Sequence, residues 1–99
     1  MYRFNLILTS GAGTPEISRF YGIIVRMFTD DHTPPHFHAY YNEFEILMDI
    51  ENFKILAGNF PPKALALIIE WAAIHKSELI KNWELARSKK PTFKIEPLT

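Results

Sequence analysis

The sequence predicts a single α+β domain, in which an antiparallel meander of about four strands is followed by a C-terminal helical segment packed on one face of the sheet. Two observations predict this class. Short apolar and aromatic runs separated by turn-forming residues fill the first sixty positions, a spacing typical of strands joined by hairpins. After Pro61 and Pro62 the apolar residues recur at helical spacing instead.

Length and composition are those of one ordinary globular domain. The chain has 99 residues, of which 47% are hydrophobic and 22% are charged, and a chain of this size holds one hydrophobic core. Eleven basic residues balance eleven acidic ones. Because there is no net charge to attract nucleic acid or an anionic membrane, any RNA contact must come from a local patch.

The absence of cysteine limits the chemistry of the chain. It excludes disulfides, thiolate metal ligands and a cysteine nucleophile, and it fits a reducing compartment. No apolar run approaches the ~20 residues that cross a bilayer, and the first residues are too few for a signal peptide. The sequence therefore predicts a cytoplasmic protein without a membrane partner.

The N-terminal residues differ in character from the rest of the chain. An apolar stretch over residues 1–8 is followed by the small residues and glycines of Thr9–Thr14, which are typical of a linker. We expect residues 1–14 to be a variable N-terminal extension and residues 15–99 to form the single domain.

Four apolar runs are expected to form the strands. They are Phe20–Phe28, His36–Tyr41, Phe44–Ile50 and Phe53–Gly58. The segment around Asn42 predicts a tight turn between the second and third runs, and Glu51 with Asn52 predicts another before the fourth.

The helical segment is the clearest element of the sequence. Its apolar stripe comprises Leu65, Ile68, Ile69, Ala72, Leu79, Trp83 and Ala86. His75–Glu78 interrupts this stripe, and Ser77 is a candidate cap for a second helix, so one long helix and two shorter ones are both open. Pro91 ends the helix, and Thr92–Ile95 is a candidate for a short final strand.

The concentrated chemistry lies in a histidine cluster beside Asp30 and Asp31. His32, His36 and His38 fall within seven residues, and imidazole titrates near neutrality, as acid and base catalysis requires. Residues two apart on a strand point to the same side. The sequence therefore predicts His32, His36 and His38 as candidate catalytic residues, with His36 and His38 as acid and base in metal-free RNA cleavage.

Two further groups of side chains extend this hypothesis. Arg19, Tyr21 and Arg26 are candidate substrate-binding residues, because two cations and a phenol could contact a phosphate. In an alternative interpretation, Asp31, His36 and His38 hold a divalent metal, and the chain is a metal-binding module or a metal-dependent hydrolase, since carboxylate and imidazole are common ligands. The sequence contains no complete ligand set and requires no cofactor.

A third interpretation assigns the histidines a structural role. They would then be half-buried strand residues bonded to carbonyl groups, and the chain would be a non-enzymatic domain that binds another protein. Its helical segment carries apolar residues on more than one face, which favours packing on a partner or on a second copy. Trp71 and Ile74 are the candidate anchors.

Several segments together resemble a known family. They are Pro15–Ile23, Asp30–His32, Pro34–His38, Glu70–Trp71, His75, Glu78–Leu79, Asn82–Arg87 and Ile95–Leu98. In these the chain is similar to domain-of-unknown-function family 4160, whose members are small bacterial proteins and typically begin near residue 15. The resemblance implies a toxin–antitoxin-like component with a second small protein, encoded nearby, as its partner, and it implies no established catalytic residues.

Overall fold

The computed structural model describes residues 15–29 and 32–99, and these form one antiparallel sheet followed by two helices. The strands are β1 (Glu16–Phe20), β2 (Ile23–Arg26), β3 (His36–Tyr41), β4 (Phe44–Asp49) and β5 (Ile55–Asn59), and the helices are α1 (Pro62–Ile74) and α2 (Lys76–Arg87). Each strand pairs with the next along the chain, in the order β1-β2-β3-β4-β5. The predicted α+β meander is confirmed.

The described sheet has five strands rather than about four, because the run Phe20–Phe28 contains a turn. Tyr21 and Gly22 both adopt positive φ angles, 47° and 81°, and together they reverse the chain between β1 and β2. Positive φ values at two successive positions are the signature of the tightest hairpin turns. The turn was not predicted, because Gly22 is the only turn-forming residue in a run that is otherwise aromatic and β-branched.

The core lies between one face of the sheet and the helices. Trp71 of α1 is fully buried, and its ring contacts Phe20 and Phe37 with centroid separations of 5.3 and 6.0 Å. Tilted and edge-on arrangements at these distances are favourable for aromatic rings. Trp71 therefore belongs to the core, and its proposed role as a surface anchor is wrong.

The helical segment forms two helices. α1 begins at Pro62, where the missing amide hydrogen of proline removes no hydrogen bond. His75 ends α1 and precedes α2, with φ −109° and ψ 27°. Ser77 lies inside the first turn of α2 and is not its cap. The interruption of the apolar stripe thus correctly predicted the break between α1 and α2, but the prediction of Ser77 as the cap was wrong.

The C-terminal segment runs along β1 without forming the short strand considered for Thr92–Ile95. The amide of Ile95 donates to the carbonyl of Ile17, and the hydroxyl of Ser18 donates to the carbonyl of Ile95, at 2.8 and 2.9 Å. Trp71 Nε1 donates to the carbonyl of Glu96 at 2.9 Å. These bonds fasten the segment to the sheet edge and to α1.

Among the described residues, neither helix has the length and apolar character needed to cross a bilayer. The predicted extension, residues 1–14, lies outside the described residues, as do Asp30 and Asp31.

Candidate functional site

Alternation along β3 places three polar side chains on the side of the strand opposite Phe37. Phe37 points to Trp71, so His36, His38 and Tyr40 lie on the other side of the strand. In the sheet register Arg26 of β2 is paired with His38, and Glu45 of β4 is paired with Tyr40. We call Arg26, His36, His38, Tyr40 and Glu45 the polar cluster.

His36 is fully buried and its ring is fixed by the backbone. The segment before β3 contains a cis Thr33–Pro34 peptide bond, and the carbonyl of Pro34 lies 2.8 Å from His36 Nδ1. Since a carbonyl can only accept, Nδ1 carries the proton that it donates to this carbonyl. The ring of Trp83 in α2 packs against the imidazole with centroids 5.1 Å apart.

His38 lies between an aromatic edge and a carboxylate. It is 3% exposed, and its ring centroid is 5.5 Å from that of His36 and 4.6 Å from that of Phe28. Glu45 Oε2 is 3.6 Å from His38 Nδ1. This is beyond ordinary hydrogen-bond length, but the carboxylate is close enough to attract a protonated imidazole strongly in so buried a position.

Tyr40 connects the charged members of the polar cluster. The guanidinium carbon of Arg26 lies 4.8 Å from the centre of the Tyr40 ring, a cation–π distance. Burial, reinforced by the negative charge of Glu45, raises the pKa of Tyr40 well above its usual range. Its hydroxyl therefore stays protonated near neutral pH and remains a hydrogen-bond donor.

Buried polar atoms of the arginine and the glutamate of this cluster make no hydrogen bond within the described part of the chain. They are Arg26 Nε and Glu45 Oε2. Buried polar atoms are nearly always hydrogen-bonded in stable proteins, and exceptions are frequent at functional sites. A donor and an acceptor that make no hydrogen bond, on the strands on either side of Tyr40, mark this side of the sheet as the candidate site.

The remaining predicted site residues lie in different surroundings. His32 is exposed in the segment before β3. Tyr21 is 60% exposed in the β1–β2 turn, next to the strand end that carries the Ile23–Tyr41 pair. Arg19 forms two hydrogen bonds with Glu16, at 2.8 and 3.1 Å. Of the three candidate phosphate contacts, the structure brings only Arg26 into the polar cluster.

The Arg19–Glu16 pair shows how the other arginine is engaged. The hydrogen bond from Arg19 lowers the pKa of Glu16, and the same contact raises the pKa of Arg19. Arg19 is exposed, so water and salt weaken the pair. We interpret it as an ordinary surface ion pair.

The structure adds two residues that the sequence interpretation did not include, Tyr40 and Glu45. Strand periodicity could have identified Tyr40, since it follows His38 by two positions. A two-residue turn at Asn42–Glu43 places residue 45 opposite residue 40. The register of this hairpin could therefore also have identified Glu45.

The metal interpretation gains no ligand set from the described residues. Within residues 15–29 and 32–99, no three side chains of His, Asp or Glu come together as a metal site. Asp31, the third ligand of the hypothesis, lies outside these residues. Asp49 is paired with His36 across the strands, but its Oδ1 accepts hydrogen bonds from the amides of Glu51 and Asn52.

Comparison with known families identifies the domain. A family model described as a domain of unknown function (DUF4160) matches residues 22–84, which is more than half of the chain. The chain belongs to the DUF4160 family. The match covers strands β2 to β5, helix α1 and most of α2. It therefore includes every member of the polar cluster of this DUF4160 domain. Neither the curated proteins nor the solved structures gave a significant match.

Proposed function

We propose that this DUF4160 chain is a component of a bacterial toxin–antitoxin-like pair, that it acts on RNA through its histidines, and that a second small protein encoded nearby is its partner. One observation carries the catalytic part of this proposal. His36 and His38 lie 5.5 Å apart, with the carboxylate of Glu45 beside one ring and a carbonyl holding the other.

This arrangement suits metal-free cleavage of a phosphodiester. A general base removes the proton from the ribose 2′-hydroxyl, the oxygen attacks phosphorus, and a general acid protonates the departing 5′-oxygen. Nε2 of His36 is the proton acceptor in this scheme. His38 is the proton donor, with the Glu45 carboxylate 3.6 Å from its Nδ1.

Arg26 is the group proposed to bind the phosphate, with the neutral hydroxyl of Tyr40 as a second donor. His32, exposed in the segment before β3, is the first imidazole that an approaching phosphate would meet. Because His36 is fully buried and His38 is only 3% exposed, the RNA must displace the rings that cover them, Trp83 over His36 and Phe28 over His38. The proposal therefore includes local opening around Phe28 and Trp83 on substrate binding.

A growth assay tests this function in cells. Induced expression of the chain alone should stop growth of a bacterial host, and expression together with the adjacent gene's product should restore growth. The His36→Asn/His38→Asn double variant should be harmless, since an asparagine in place of His36 can still donate to the Pro34 carbonyl but cannot accept a proton. Arg26→Ala should be harmless as well, whereas Arg19→Ala, a matched loss of one arginine outside the polar cluster, should remain toxic.

A second candidate function is a non-enzymatic domain that binds the same neighbouring protein. The near-complete burial of His36 and His38 favours it, because buried imidazoles bonded within the fold are often structural. Under this function the double histidine variant still co-purifies with the partner and the wild-type chain does not inhibit growth. Growth inhibition that the double variant retains in full contradicts the catalytic proposal.

A further inference from the structure

Helix α1 carries an unusually apolar exposed side. Residues with exposed or half-buried side chains recur at intervals of three and four along one side of the helix. We call them the outer stripe: Lys63, Ala66, Leu67, Glu70, Ala73 and Ile74. Ile74 is 62% exposed, while Leu67 is half-buried and packs partly against the core, so one large apolar side chain of the stripe lies open at the surface.

The second helix of the same chain provides the contrast. The exposed positions of α2 are Ser77, Lys81, Glu84 and Arg87, all of them polar, as is usual for a helix side facing water. α1 has only two charged residues at its exposed positions. Apolar surface concentrated on one of two neighbouring helices is typical of an interface.

The two charges of the outer stripe are placed in a complementary way. Lys63 and Glu70 are seven residues apart, which is about two turns or roughly 10 Å along the axis. Both are exposed, and neither forms an ion pair with any other residue in the described part of the chain. The stripe thus carries a cation at one end and an anion near the other, separated by Ala66 and Leu67.

We propose that a second copy of this chain packs on the outer stripe, with the two α1 helices antiparallel. A twofold axis passing between Ala66 and Leu67 brings Lys63 of each protomer opposite Glu70 of the other, because both pairs are equidistant from that point. The small side chain of Ala66 allows close approach of the helices at the axis. Ile74 then loses its exposure against the start of the partner's α1.

Charge favours the antiparallel over the parallel arrangement. In a parallel pair, Lys63 faces Lys63 and Glu70 faces Glu70, so both contacts are repulsive. The antiparallel pair has two attractive contacts and no repulsive one, and such patterns set the orientation of helix pairs. The inference is independent of RNA cleavage, since the outer stripe and the polar cluster are built from different elements.

Sedimentation equilibrium of the full chain tests the proposal by charge exchange. The wild type should dimerise. Lys63→Glu and Glu70→Lys should each weaken dimerisation by about tenfold or more, because each creates two like-charge contacts. The double exchange K63E/E70K should restore it. An equimolar mixture of the two single variants should form a heterodimer, since every contact between them is attractive.

Lys81→Glu is the matched control, with the same charge change at an exposed position of α2. It should leave the dimer unchanged. A wild-type chain that remains monomeric at high concentration overturns the proposal and leaves the outer stripe to a different protein. A dimer that is insensitive to both single exchanges, or a double exchange that fails to restore association, also overturns it.

Discussion

Glu45 Oε2 lies 3.6 Å from His38 Nδ1 although the two residues are not partners in the sheet. Across the β3–β4 hairpin, Glu45 is paired with Tyr40, and His38 is paired with Leu47. The carboxylate therefore reaches diagonally along the strand, which is within the range of a long side chain. This diagonal joins an imidazole, a phenol and a carboxylate on one side of the sheet.

Replacing Glu45 by Gln should lower RNA cleavage by about tenfold or more, because the amide has the shape of the carboxylate but cannot stabilise a charged imidazole. Cleavage of a labelled RNA by the purified variant measures this. Glu43→Gln is the control, since Glu43 is exposed in the turn of the same hairpin. Equal cleavage by wild type and the Glu45 variant would remove Glu45 from the mechanism.

Tyr40 predicts a dependence of stability on alkaline pH. Its folded-state pKa is raised, so above about pH 10, where the unfolded chain loses the phenolic proton, the folded state binds more protons than the unfolded one. The free energy of unfolding should therefore decline as pH rises beyond that point. Denaturant titrations between pH 8 and about pH 11 should show a steeper decline in the wild type than in Tyr40→Phe. Identical declines would contradict the burial of Tyr40.

The two glycines with positive φ angles should respond very differently to alanine. At Gly58, with φ 85°, a Cβ would lie 2.1 Å from the carbonyl oxygen of Glu45, whereas at Gly22 its nearest neighbour is a ring carbon of Tyr41 at 3.3 Å. Gly58→Ala should cost ~3 kcal/mol or more, since backbone must move. Gly22→Ala should cost ~1 kcal/mol, mainly for the left-handed backbone. Chemical denaturation measures both, and equal costs would argue against the close approach of β4 and β5.

Asn82 should be essential for holding the C-terminal segment. It is fully buried, donates to the carbonyl of Phe93 and accepts from its amide, both at 2.9 Å. Asn82→Ala leaves two backbone groups without partners, at an expected cost of ~2–4 kcal/mol. Hydrogen exchange at the Phe93 amide should accelerate in the variant. An unchanged rate together with unchanged stability would show that the segment is held by other contacts.

Local sequence patterns predicted most of the fold. The turn at Asn42 and the period of two in β3 and β4 determine which side chains face the core, and the change of period after Pro62 marks the helices. The β1–β2 turn was harder to predict, because Tyr21 occupies a left-handed conformation that non-glycine residues seldom adopt. No local sequence pattern predicts that a tyrosine adopts this conformation.

The candidate site was predictable only in part, for a physical reason. Spacing on one strand placed His36 and His38 on the same side, which requires only backbone geometry. The positions of Arg26 and Glu45 beside these histidines depend on the register of β2 with β3 and of β3 with β4. The choice between Arg19 and Arg26 could not be made from composition, because it depends on Arg19 being engaged by Glu16.

The central claim is that the polar cluster acts as one acid–base site, and cleavage of RNA by the purified chain tests it most directly. The wild type should convert a labelled oligoribonucleotide to a product with a 2′,3′-cyclic phosphate in the presence of a metal chelator. The folded His36→Asn/His38→Asn double variant should be slower by at least about a hundredfold. Cleavage at the wild-type rate by that variant, or no cleavage of any RNA by the wild type, would contradict the claim.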